Sequence, residues 1–178
     1  SVDINNGNLI WQIPTQSSLA FDAGFFLKTS DIVVEKNALF FSNNQNEFFS
    51  LDAQTGNLNW KQEINSNLRP VIINDLIFTV TLEGYLVIVE KNSGNIVRSN
   101  YLLNQFKKKK RPDIEPTGFI IGNKNIYLSN NIGRLSVIDI ATGVTRNILK
   151  IDNKKISRPA IFNKNLYIIS NNSIIKLD

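Results

Sequence analysis

A tight turn flanked by alternating apolar residues recurs along this chain at regular distances, and that recurrence limits the possible folds more than any other feature. Its clearest copy is Leu51-Asp52-Ala53-Gln54-Thr55-Gly56-Asn57-Leu58-Asn59-Trp60. Asp52 and Thr55 can hydrogen-bond the turn backbone, and Gly56 can take φ > 0 without steric cost. Apolar alternation resumes after the turn and a tryptophan closes the unit, as in a hairpin. Three more copies run from Asp3 through Gly7 to Trp11, from Glu90 through Gly94 to Arg98, and from Asp139 through Thr142 and Gly143 to Asn147. The acidic position falls at 3, 52, 90 and 139, and again at the last residue, Asp178, so the spacings are 49, 38, 49 and 39. A period of ~40 residues with turn signals at fixed offsets marks a repeat architecture.

Each repeat has a strand-like interior. An alternating segment precedes each turn: Glu47 to Leu51, Tyr85 to Val89, Leu135 to Asp139, Ile174 to Leu177. Two apolar runs stand ahead of it, such as Val71-Ile72-Ile73 and Leu76-Ile77-Phe78-Thr79-Val80. Pro70, Pro116 and Pro159 sit just before the innermost run, where a strand start tolerates a missing N–H. Four short antiparallel strands in about 40 residues make the blade of an all-β propeller. Labelled A to D from the axis outward, complete blades are expected near 31–64, 70–103 and 116–151. Residues 157–178 supply A, B and C without D, and residues 8–13 supply a D without the others. The N-terminal strand could close the last blade, the ring could be larger, or two open halves could self-associate, since an unpaired strand edge recruits partners. Extensions at 15–28 and 99–115 lengthen two of the repeats.

The composition excludes much enzyme chemistry. The 178 residues contain no His and no Cys. A Ser-His-Asp triad, a thiolate nucleophile and the commonest transition-metal ligands are therefore impossible within this chain. The net charge of +5 is concentrated in Lys107, Lys108, Lys109, Lys110 and Arg111, and away from that run the chain is nearly neutral, which argues against a nucleic-acid binder. The chain lacks Met, so it is expected to be a piece of a longer protein.

The Asp-x-x-Thr-Gly-x-x-x-Trp hairpin resembles the repeat of the pyrroloquinoline-quinone-like propellers. Asp52, Thr55, Gly56 and Trp60 match it fully, Asp3, Gly7 and Trp11 match with Asn6 in the Thr position, and the later copies depart from it at Arg98 and Asn147. The resemblance implies architectural roles for these residues, with the Trp docked on a neighbouring blade. One branch of the family comprises quinone-dependent dehydrogenases with a Ca²⁺ site; no Asp, Glu and Asn cluster here matches that site, and no cofactor or metal is expected. The other is the BamB family of non-enzymatic lipoproteins, subunits of the outer-membrane β-barrel assembly machine. Residues 30–178 resemble the C-terminal part of its alphaproteobacterial members through Arg69-Pro70-Val71, Gly84-Tyr85-Leu86, Lys109-Lys110-Arg111-Pro112-Asp113-Ile114 and Ser157-Arg158-Pro159.

That resemblance implies a scaffold rather than an enzyme. It would act on the periplasmic side of the bacterial outer membrane, held there only by a lipid anchor outside this sequence. Its partners would be the barrel-forming subunit and nascent outer-membrane proteins. The alternative is a fragment of a quinone-dependent dehydrogenase. The Lys107–Arg111 run reads as a solvated loop; its sharper reading is a contact for an acidic partner or anionic head groups, at about 1 kcal/mol per basic residue. Trp11 and Trp60 are expected between blades rather than as ligand platforms. Asp3, Asp52, Glu90 and Asp139 are expected to cap turns rather than bind metal. Phe21, Phe25 and Phe26 could form a docking patch or cover a blade edge.

Overall fold

The structure, a computed structural model, describes residues 1–15 and 27–177; the Phe21, Phe25 and Phe26 group and Asp178 lie outside the described residues. Four antiparallel sheets follow one another along the chain, as in a propeller. The first contains β1 (Val33–Glu35), β2 (Ala38–Asn43), β3 (Glu47–Asp52) and β4 (Leu58–Gln62). The second contains β5 (Val71–Ile73), β6 (Leu76–Val80), β7 (Tyr85–Glu90) and β8 (Ile96–Tyr101). The third contains β9 (Pro116–Gly122), β10 (Asn125–Asn130), β11 (Arg134–Asp139) and β12 (Thr145–Lys150). The fourth has three strands, β13 (Ala160–Phe162), β14 (Asn165–Ser170) and β15 (Ser173–Leu177), so β15 is its edge.

Local chemistry accounts for the turns. Asn123-Lys124, Asn163-Lys164 and Asn171-Asn172 have positive φ at both positions, as two-residue hairpins of right-twisted strands require. In each complete blade the pairing of third and fourth strands shifts register at the same repeat position: between Ser50 and Leu51, Ile88 and Val89, and Val137 and Ile138. The turn chemistry is thus reproduced down to a bulge.

Residues 8–13, expected as a fourth strand, make one bridge, Leu9 to Val2, and belong to none of the four sheets. Only Ser1 and Val2 precede the Asp3 turn here, too little chain for a ladder. In the 99–115 extension, β8 runs on to Tyr101 and a short 3-10 helix spans Lys108–Asp113 without a buried residue. No helix among the described residues is long and apolar enough to cross a membrane.

The core is a series of seams between consecutive blades. Phe40, Phe48 and Trp60 of the first meet Ile77, Val87 and Val89 of the second. Phe78, Val80, Leu86 and Ile88 of the second meet Phe119, Ile126, Leu128 and Ile138 of the third. Leu135 of the third meets Leu166 and Ile168 of the fourth. The second and third sheets alternate their side chains between the two seams they border, so their middle strands carry apolar residues on both faces. Burying each of these large side chains is worth about 1.5–3 kcal/mol.

Candidate functional site

The four acidic residues of the repeat cap their own turns. The Asp52 carboxylate accepts hydrogen bonds from the backbone N–H groups of Gln54 and Thr55 at 2.9 and 2.8 Å and from the Thr55 hydroxyl at 2.9 Å. Asp139 accepts from the Thr142 N–H at 2.7 Å and its hydroxyl at 2.9 Å, and pairs with Arg146. Asp3 accepts from the Asn5 N–H at 2.7 Å, and Glu90 from the Ser93 hydroxyl. Donors converging on a carboxylate favour its charged form. The Thr142 N–H, then its hydroxyl and Arg146, lower the Asp139 pKa to about 2, and Thr55 holds Asp52 below its ordinary value in the same way. Among the described residues, no three His, Cys, Asp or Glu side chains gather to hold a metal ion.

In three of the four copies, the residue closing the repeat crosses to the next blade. Trp60 Nε1 donates to the Lys91 carbonyl at 2.8 Å, and its indole lies over Gly94, where a Cβ would come within 2.6 Å of the ring. Phe48 packs edge-on against the same indole at 5.6 Å. Trp11 repeats the arrangement one blade earlier: Nε1 donates to the Ala53 carbonyl at 3.2 Å, with the ring over Gly56. In the next copy Arg98 replaces the tryptophan, donating from Nη2 to the Ile140 carbonyl at 2.7 Å and from Nη1 to that of Ala141. Asn100 then covers Gly143. The carbonyls of Ala53, Lys91 and Ile140 each directly follow the acidic residue of the receiving turn, so Trp and Arg perform one task. Arg98 departs from the sequence motif and reproduces its geometry. The only sequence signal for it was its position, eight residues after Glu90.

The basic run divides in two. The Arg111 guanidinium donates to the carbonyls of Phe106 at 2.9 Å and Asn104 at 2.7 Å and lies over the Tyr101 ring at 5.9 Å. It fastens the extension to the second blade. Lys107, Lys108, Lys109 and Lys110 are exposed. The run borders an open cleft of about 890 Å³ shared by Lys28, Lys108, Arg111 and Lys155, with Glu83 and Glu115 on its walls. The sequence offered no sign that Lys28 and Lys155, from distant segments, line one cleft with Lys108 and Arg111.

Comparison with known proteins agrees with this architecture. The family profile described as outer membrane protein assembly factor BamB matches residues 1–100, which span the first two blades. The outer membrane protein assembly factor BamB of Legionella pneumophila (strain Paris) is 22% identical over 144 residues, 79% of this chain and 32% of the relative. The crystal structure of BamB from Moraxella catarrhalis superposes with a TM-score of 0.66 at 14% identity, over 83% of this chain and 41% of that one. A quinohemoprotein alcohol dehydrogenase from Pseudomonas putida HK5 shares the fold at a TM-score of 0.54 and 16% identity, over 65% of this chain and 19% of that one. The chain thus spans about a third of the curated relative's length and about two fifths of the solved BamB.

Proposed function

Because this chain belongs to the family of the outer membrane protein assembly factor BamB, we propose that it is a non-enzymatic scaffold of the outer-membrane β-barrel assembly machinery. The family match over residues 1–100 carries the reading. On it, the chain works on the periplasmic side of the outer membrane, with a lipid anchor supplied from outside the sequence given. Its partners are the barrel-forming subunit and nascent outer-membrane proteins. The basic extension, Lys107 to Lys110, is the segment we assign to an acidic partner surface, and the same extension underlies our placing of the chain as the C-terminal part of a BamB-like protein of the alphaproteobacterial type.

The blade architecture supports such a role. Motif residues are engaged in turns and seams, which leaves the loops and strand edges free for protein contacts. The test is capture of the purified barrel-forming subunit on the immobilised chain. Binding that weakens with salt and with reversal of Lys107–Lys110 to Glu supports the proposal. Absence of capture, together with quinone-dependent dye reduction in the presence of Ca²⁺, would favour the dehydrogenase alternative.

A further inference from the structure

We propose that the cleft where the four innermost strands begin is a binding site for an acidic peptide segment, one carboxylate of which is clamped between Arg69 and Arg158. The inference deepens the scaffold reading above, on which it rests for the partner being a protein. It places the contact at the inner ends of the blades rather than on the outer loop alone.

One repeat position defines the clamp. Val33–Phe40, Val71–Phe78, Ile120–Tyr127 and Ala160–Tyr167 are equivalent pairs in the four sheets. Two residues ahead of the first member of each pair stand Asp31, Arg69, Gly118 and Arg158, one per blade, at the entry to the innermost strand. In a propeller such positions surround the axis. The fourth blade reaches over the third here: a Cβ on Gly118 would come within 2.4 Å of the Arg158 Cβ, so the glycine makes room for the arginine. Arg158 Nε donates to the Phe119 carbonyl at 3.1 Å, which fixes the side chain across that strand. Burial, followed by the positive charge of Arg69, lowers the Arg158 pKa, and the negative charge of Asp31 acts against that lowering. Charges from the first, second and fourth blades therefore face one another over the glycine of the third.

This layer is short of anions. Among the described residues, no acceptor is hydrogen-bonded to the Arg69 guanidinium or to the Nη groups of Arg158, and Asp31 is in ion-pair contact with neither. Arg158 is half-buried, and a cation withdrawn from water gains from a counter-charge. A guanidinium is a planar fork that takes a carboxylate through two parallel hydrogen bonds. Two forks beside a single aspartate leave room for one more carboxylate.

The cleft of about 890 Å³ leads to this layer. Its lining includes Lys28 and Lys155, each three residues ahead of Asp31 and Arg158, and Leu68 and Thr117, directly ahead of Arg69 and Gly118. The Thr117 hydroxyl donates to the Ile156 carbonyl at 2.9 Å and holds the Lys155 segment against the third blade. With Lys108 and Arg111, the cations of the cleft outnumber the carboxylates Glu83 and Glu115, and Glu83 already accepts from the Asn65 amide at 2.5 Å. Leu82, Tyr101 and Ile114 share the walls. Cations mixed with apolar side chains suit a peptide in which carboxylates alternate with apolar residues, and suit a bare phosphate poorly.

Fluorescence anisotropy of a labelled peptide of alternating Glu and Leu measures the site on the full chain. The peptide should bind with an affinity that falls as salt rises, and its Gln analogue should bind at least about 10-fold more weakly. Arg69→Gln and Arg158→Gln should each weaken binding roughly 10-fold. Lys107→Glu with Lys109→Glu, outside the cleft lining, should weaken it less than about 3-fold. Arg69 is exposed, so Arg69→Gln keeps the test decisive if Arg158→Gln fails to fold. No binding of the peptide, equal binding of the Gln analogue, unchanged affinity in Arg69→Gln, or displacement by equimolar inorganic phosphate overturns the proposal. Capture of the barrel-forming subunit that is unaffected by Arg69→Gln also overturns it and leaves the scaffold reading standing. Peptide binding without any such capture supports the site and counts against the scaffold reading alone.

Discussion

Arg98 donates from Nη2 to the Ile140 carbonyl at 2.7 Å, the place in the third blade that corresponds to Lys91 in the second, where Trp60 donates. A planar cation and a planar aromatic N–H donor both reach one carbonyl across a seam. The repeat thus conserves a hydrogen bond while changing the side chain that makes it. Arg98 is expected to contribute through that bond and its stem, so Arg98→Ala should cost about 1–2 kcal/mol, and Arg98→Lys should recover only part, because Lys lacks the planar fork that reaches both Ile140 and Ala141. Urea unfolding of the two variants measures the difference.

Trp60 carries more. It packs between Phe40 and Phe48, at ring distances of 6.0 and 5.6 Å, as well as donating to Lys91. Trp60→Ala should cost about 3–5 kcal/mol, and Trp60→Phe, which keeps much of the packing and drops the donor, about 1–2 kcal/mol. Equilibrium unfolding separates the packing contribution from the hydrogen bond.

Gly94 and Gly7 have nearly equal φ values, 76° and 75°, and different surroundings. A methyl at Gly94 meets the Trp60 ring at 2.6 Å, while one at Gly7 meets nothing within 4 Å. Gly7→Ala should cost about 1 kcal/mol from backbone strain alone, and Gly94→Ala an additional 1–3 kcal/mol from the displaced indole. Equal losses in thermal unfolding would mean that the seam yields freely at Trp60.

The acid limb of stability should follow the capped turns. The folded-state pKa of Asp139 is lowered from 3.8 to about 2, so its contribution is fully present above the unfolded value and fades as pH falls from about 4 through about 2. Asp52 and Asp152 shift in the same direction, Asp152 chiefly through the Ser170 hydroxyl. Asp139→Asn should lower the melting temperature at neutral pH and flatten its decline in acid. An unchanged acid limb would remove Asp139 from the account.

The sequence by itself determined the repeat, its turns and the positions at which blades meet, because turn chemistry is local. Asp52, Thr55 and Gly56 interact within a few residues of one another, and their spacing alone predicts the hairpin. Tertiary structure decided what crosses the seams. Arg98 looks like a lapse from the motif until the Ile140 carbonyl is seen beside it, since equivalence of Trp and Arg exists only relative to a third group in another blade. The cleft shared by Lys28, Lys108 and Lys155 is likewise assembled from segments far apart in sequence. Ile174 likewise shares the pattern of Phe48 and Leu86 yet is 74% exposed, because burial requires a neighbouring sheet and none of the described residues covers it.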